Sequence, residues 1–276
     1  MVKSLLKQLN KMQQHKNISF QNSAIHYTIY GTGKPVMLVH GFAEDSSIFS
    51  TQINDLKENY LLIVPDLPGI GKSEMLQKEN VQIDDYATVL KAIIDEEKIE
   101  HITLLGHSMG GYITLAYAEN YGETLNAFGL LHSSAYADDE AKIAARKKAI
   151  NFIKENGSGA FLKTSIPGLF LDAEKSKSEI DNLIETGNTF NPNVLIQQYN
   201  AMIARPNTTS VLKTFQQPIL FIIGEHDKAI SFSDSLEQSH LPKTAYIHIL
   251  RCSAHMGMLE ESKNVNKILA DFLHSI

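Results

Sequence analysis

A serine set between glycines at Gly106-His107-Ser108-Met109-Gly110 carries the clearest chemical signal in this sequence. The apolar run ITLLG leads into it and YITLAYAENYG follows, the context of a strand that turns sharply into a helix. Such a turn needs backbone angles and close strand-helix contact that larger side chains would obstruct, so the glycines have a reason to be there. A serine hydroxyl is a poor nucleophile at neutral pH. It needs a base within hydrogen-bond reach, and the base needs an orienting group. Two downstream residues suit those roles. Asp227 stands in Gly224-Glu225-His226-Asp227, directly after the strand-like PILFII, and His255 lies in Cys252-Ser253-Ala254-His255-Met256-Gly257, just past AYIHIL. Each alone would be an ordinary loop residue, but beside the serine turn they complete a nucleophile, base and acid. Of the other histidines near strand ends, His226 is a weaker alternative, His107 is expected to pack or hydrogen-bond within the turn, and His132 is a further competitor.

A tetrahedral intermediate also needs donors for its oxyanion. The backbone N–H groups of Met109, next to the nucleophile, and of Phe42, in His40-Gly41-Phe42 after PVMLV, are the expected pair. Phe161, Leu162, Phe170 and Met202, with Met256 near the histidine, suggest an apolar pocket for a small or medium acyl group. No cofactor is required by this chemistry and no metal is expected. Asp138-Asp139-Glu140 reads as a helix start favoured by the helix dipole, and no His/Cys cluster has metal-ligand spacing. Cys252 is expected to be a small buried apolar residue rather than a thiol nucleophile.

These residues must be positioned by a sheet. Strand-like runs fall at 17–20, 24–30, 35–39, 60–64, 102–105, 125–131, 218–223 and 245–250. The first two are close enough for a hairpin, and most later ones are separated by enough chain for a helix. That order predicts an α/β fold: a mostly parallel central sheet with an antiparallel N-terminal hairpin and helices on both faces. Runs such as VMLVH, LLIVP, ITLLG and ILFII lack polar alternation and predict strands covered on both sides. From about 136 to 217 the pattern turns helical, with a helix from the paired aspartates to Gly157 and another capped by Asn191-Pro192 and closed by Pro206. Residues 1–135 and 218–276 are therefore expected to form the core, and 136–217 a helical lid over the strands' carboxyl ends.

The chain's 276 residues suit one large domain with an insertion. A hydrophobic content of 43% predicts a globular protein, and a net charge of -6 with no basic run sets nucleic acid aside as a partner. The opening MVKSLLKQLNKMQQHKN interrupts its apolar residues with Lys and Gln and reads as a short amphipathic helix rather than a secretory signal. No stretch is apolar for long enough to span a membrane. One cysteine excludes an internal disulfide. The expected setting is a cytoplasmic enzyme, monomer or homodimer, acting on a small ester-like molecule.

With these motifs in hand, the chain resembles the α/β-hydrolases of the single-domain, lidded type over nearly its whole length. The resemblance rests on HGF at 40–42, PDLPGIGKS at 65–73, GHSMGG at 106–111, GEHD at 224–227 and AHM at 254–256. The order Ser, Asp, His along the chain is similar to that family's and differs from two other serine-hydrolase folds. It implies a serine esterase with Ser108, Asp227 and His255 as its triad, and a structural role for Asp66. A carbon-carbon bond hydrolase or an acyltransferase on the same triad, and a non-enzymatic ligand receptor, remain open. Haloalkane dehalogenases and epoxide hydrolases have an aspartate where this chain has Ser108. The sequence has no tryptophan, so it lacks the dehalogenases' halide clamp and the tryptophan beside the nucleophile in proline iminopeptidases. HGF also differs from the HGGG loop of some lipases.

Overall fold

The structure, a computed structural model, describes residues 13–276. In chain order the strands are β1 (Gln13–Phe20), β2 (Ser23–Tyr30), β3 (Lys34–Val39), β4 (Tyr60–Pro65), β5 (Ile102–His107), β6 (Leu125–Leu131), β7 (Ile219–Gly224) and β8 (Ala245–Leu250). The helices are α1 (Ser50–Leu56), α2 (Ile83–Glu96), α3 (Met109–Tyr121), α4 (Glu140–Ser165), α5 (Lys177–Gly187), α6 (Pro192–Ala204), α7 (Thr209–Thr214), α8 (Phe232–Ser239), α9 (Gly257–Glu260) and α10 (Ser262–Ser275). The strands form one eight-stranded sheet in the order β1-β2-β4-β3-β5-β6-β7-β8. β2 runs antiparallel to both β1 and β4, and the remaining neighbours are parallel. This is the predicted architecture.

Inner strands such as β5 and β7 are buried along their full length, so helices cover both faces. Helix α10 shows how: Val265, Ile268, Leu269, Phe272 and Leu273 recur at helical spacing and are all buried. Each such side chain contributes about 1.5–3 kcal/mol by leaving water. The β8 edge of the sheet is less covered. In β8, Ile247 and Ile249 are 39% and 41% exposed, because an edge strand has a neighbour on one side only.

The expected N-terminal helix lies outside the described residues over 1–12, and the remainder of it is strand. Gln13 to Phe20 pair with Tyr30 to Ser23, and this ladder overrides the local helical pattern. The turn between the two strands uses Gln21 and Asn22, both at positive φ (47° and 66°), the twist that suits a tight hairpin.

Between β6 and β7 come α4 to α7 and no strand. Asp139 caps α4 by accepting from Lys142 N at 2.7 Å. The helix does not stop at Gly157. That residue takes φ 81°, kinks the helix, and lets it resume to Ser165. Asn191 caps α6 as predicted. Asp138 departs from a simple helix-start role: its buried carboxylate pairs with Arg146 at 2.5 Å and Arg205 at 2.9 Å. Burial would raise the Asp138 carboxyl, but the two guanidiniums outweigh it and hold it below the usual range.

Candidate active site

Ser108, between β5 and α3, has φ 50° and ψ −115°, a conformation rare for a residue with a Cβ. Close packing around it explains the neighbouring glycines. An added Cβ on Gly110 would run into the Val39 carbonyl, and one on Gly106 into Gly110 itself. The strained turn is tied down by Ser108 N donating to Leu131 O at 2.9 Å and by Ser133 Oγ donating to Ser108 O at 2.7 Å.

The loops after β7 and β8 bring Asp227 and His255 to the same edge of the sheet. His255 Nε2 lies 2.9 Å from Ser108 Oγ, and its Nδ1 lies 2.8 Å from Asp227 Oδ2. The other carboxylate oxygen, Oδ1, accepts from Ala229 N at 2.8 Å and Ile230 N at 2.9 Å, which fixes its orientation. Burial would raise the Asp227 carboxyl. The facing His255 and His132 rings outweigh it and hold the group well below the usual carboxylate range. With Asp227 ionised, His255 is held with Nδ1–H toward the acid and Nε2 free to accept the serine proton.

Gly41 brings the loop after β3 against the nucleophile, since a Cβ there would stand 3.1 Å from Ser108 Cβ. Among the described residues, neither Phe42 N nor Met109 N donates a hydrogen bond within the protein, so both amides are available to a ligand. Phe42, Phe161, Leu162 and Met256 share a cavity of about 100 Å³ with Leu169 and Tyr199. Two expected pocket residues do not line it. Phe170 is buried among the apolar side chains packed under α4 to α6, and Met202 turns its sulfur to Arg146 Nη1 at 3.3 Å. A wider depression of about 440 Å³ opens at the opposite edge of the sheet, around Lys34, Tyr60 and Thr103, away from these loops.

The other histidines sort clearly. His226 is exposed. His107, expected to bond within its own turn, instead spans three loops: Nδ1 meets Glu44 Oε2 at 3.0 Å and Nε2 donates to the His255 carbonyl at 3.0 Å. Glu44 also accepts from Gly41 N at 2.8 Å. Burial would raise Glu44 and lower His107, but their mutual attraction outweighs it, so Glu44 is lowered and His107 raised. The sign of the pH dependence follows. A raised histidine stabilises the fold below its unfolded value and loses that contribution as pH climbs through its folded value; a lowered carboxyl loses its own as pH falls. Glu44→Gln is therefore expected to cost about 3–5 kcal/mol near pH 6. The gap in melting temperature from the native protein should be widest there and narrow toward pH 9. A gap that widens with rising pH would contradict the pairing.

Sequence reading missed Glu44, Ser133 and Glu260. Glu260 accepts from Leu171 N and Ala254 N, while His255 N donates to Leu169 O at 2.9 Å, so the segment before α5 touches the histidine loop. No motif announces these contacts. Cys252, expected to be buried, is exposed, because the loop after edge strand β8 faces solvent there. Among the described residues, His132, Asp227 and His255 are the group whose ligand atoms, all within 4.8 Å, could approach a metal ion. Here the shared carboxylate oxygen is engaged by His255. Asp66 accepts from Ser46 N and Lys72 N and pairs with His26, ordering the 67–73 turn.

A family model described as alpha/beta hydrolase fold matches residues 34–155. The chain is 24% identical over 274 residues to a 2-hydroxy-6-oxononadienedioate/2-hydroxy-6-oxononatrienedioate hydrolase of Paraburkholderia phymatum, covering 90% of each chain. Among solved structures, a thermophilic esterase from Thermogutta terrifontis superposes with a TM-score of 0.87 at 23% identity, over 95% of this chain and 98% of the other. An enol-lactonase from Burkholderia xenovorans superposes with a TM-score of 0.87 at 20% identity, over 94% and 100%. At such identities the structural likeness speaks to the fold. Among the described residues no helix is long and apolar enough to cross a membrane.

Proposed function

We propose that this chain, which has the fold of the α/β-hydrolases, is a serine hydrolase of that superfamily cleaving a carboxylic ester or related acyl bond through an acyl-enzyme on Ser108. The observation that carries this reading is the unbroken path from Ser108 Oγ to His255 at 2.9 Å and from His255 to Asp227 at 2.8 Å. Ser108 attacks the carbonyl carbon as its proton passes to His255 Nε2. The Phe42 and Met109 amides hold the oxyanion, and the His255 proton leaves with the alcohol. Water, deprotonated by the same ring, then releases the acid. The helices over 136–217 act as a lid. Their Leu169 carbonyl accepts from His255 N, and Phe161, Leu162 and Leu169 help wall the small cavity, which favours a short acyl group.

A second reading has a specific motive in the Paraburkholderia relative, named for hydrolysis of 2-hydroxy-6-oxononadienedioate. The same triad would then cleave a carbon-carbon bond, or pass its acyl group to an alcohol acceptor. A fluorophosphonate probe and a panel of p-nitrophenyl esters of graded acyl length separate the possibilities. Covalent labelling of Ser108 and fastest turnover of the shortest esters are expected. Labelling without ester turnover would favour carbon-carbon cleavage, faster release with added alcohols an acyltransferase, and neither labelling nor turnover a ligand receptor.

A further inference from the structure

His132, which follows β6, is left unused by that mechanism, and its surroundings are unusual. The residue is buried and holds φ 49°, a backbone conformation unfavourable for any side chain with a Cβ. Both ring nitrogens lack a hydrogen bond that meets ordinary geometry. A carboxylate is nevertheless close: Nδ1 stands 3.5 Å from Asp227 Oδ2, the oxygen that also faces His255 Nδ1. Two glycines make room for the ring. A Cβ on Gly257, two after His255, would stand 2.5 Å from His132 Nε2, and one on Gly224, three before Asp227, would meet the Ala254 carbonyl first and the His132 ring at 3.1 Å. Simple space filling does not account for this arrangement, because a leucine or methionine would fill the volume without burying two polar nitrogens.

We propose that His132 is a positioning residue for the catalytic acid: its Nδ1–H supports Asp227 Oδ2 beside His255 and limits how strongly that carboxylate attracts the charge developing on His255. The proposal rests on the serine-hydrolase reading above. A carboxylate oxygen that serves two donors offers less to each, so His132 would keep His255 from binding its proton too tightly at the carboxylate's side. The role requires a neutral ring with its proton on Nδ1. Burial pushes His132 down to about 4, against the opposing pull of Asp227, which leaves it neutral at physiological pH. Among the described residues, five other polar groups surround the two rings. Asp227 faces both; the His107 ring lies 5.9 Å from His132 and 5.0 Å from His255, with Glu44 paired behind it; His132 and His255 stand 5.9 Å apart; Ser108 meets His255 Nε2; and Glu260 accepts from Ala254 N, the residue before His255.

The test uses two variants and one measurement on the native protein. His132→Phe keeps a ring and removes the donor. His132→Asn places an amide N–H near the position of Nδ1 and tolerates the positive φ. In profiles of kcat/KM against pH for a short ester, His132→Phe should move the acid limb upward by about half to one unit. Activity below the limb would then fall by about 3- to 10-fold, with the alkaline plateau little changed. His132→Asn should stay close to the native profile. An unmoved limb in His132→Phe, or an equal shift in both variants, would overturn the proposal. Should the phenylalanine variant fail to fold, ¹⁵N spectra of histidine-labelled native protein decide. A neutral His132 protonated at Nδ1 is expected, and one protonated at Nε2 refutes the contact. If the native protein turns over no ester and resists the fluorophosphonate, the serine-hydrolase reading has failed, while the tautomer still reports whether His132 supports Asp227.

Discussion

Ser108→Ala is expected to lower kcat for ester hydrolysis by about 10⁴-fold or more and to abolish fluorophosphonate labelling. Among the described residues, the Ser108 hydroxyl is the nucleophile hydrogen-bonded to His255, and in the proposed mechanism it faces a carbonyl held by the Phe42 and Met109 amides. Cys252, the single thiol, lies on the exposed part of the loop before His255. The variant should still fold. Among the described residues, the Ser108 side chain makes one hydrogen bond, to His255, whereas the Ser108 backbone is held by Leu131 O and Ser133 Oγ in contacts that alanine retains. Steady-state kinetics with p-nitrophenyl acetate, alongside a melting curve, provide the check. Turnover within a few-fold of the native protein would remove Ser108 from the role of nucleophile.

Asp227→Asn is expected to reduce kcat by about 10³- to 10⁴-fold with little change in KM. The direction follows from the hydrogen bonds of the carboxylate. Oδ1 accepts from two backbone N–H groups, at Ala229 and Ile230, so that position must remain an oxygen in the variant. The amide NH₂ is thereby placed where Oδ2 was, facing His255 Nδ1. The ring must then accept there and carry its proton on Nε2, pointing at Ser108, where it can no longer act as a base. Asp227 does not line the cavity of Phe161, Leu162 and Met256 proposed to take the acyl group, which is why KM should hold. A loss of less than tenfold would mean that another group orients the base.

Much of this was legible in the residues alone. The inner strands could be read because parallel strands buried on both faces are written as unbroken apolar runs, and ITLLG and PILFII fall inside β5 and β7. The serine turn could be read because its tight backbone tolerates only glycine at the points of closest approach. Local signals reached their limit where a long-range pairing decided the outcome. Residues 13–17 follow a helical pattern yet join β1, since β2 supplies the hydrogen-bond partners, and the helix expected to end at Gly157 is only kinked there.

Sequence by itself determined which chemistry could be assembled: a serine on a glycine-bounded turn, and an acid and a base in loops at the carboxyl ends of strands. Tertiary structure decided what each group faces. The Glu44–His107 pair joins residues 63 apart in the chain, and His132 meets Asp227 between the loops of neighbouring strands β6 and β7; Phe170 and Met202 leave the pocket for other contacts. Side chains in different loops meet through the register and twist of the sheet, and no periodicity along the chain encodes that distance.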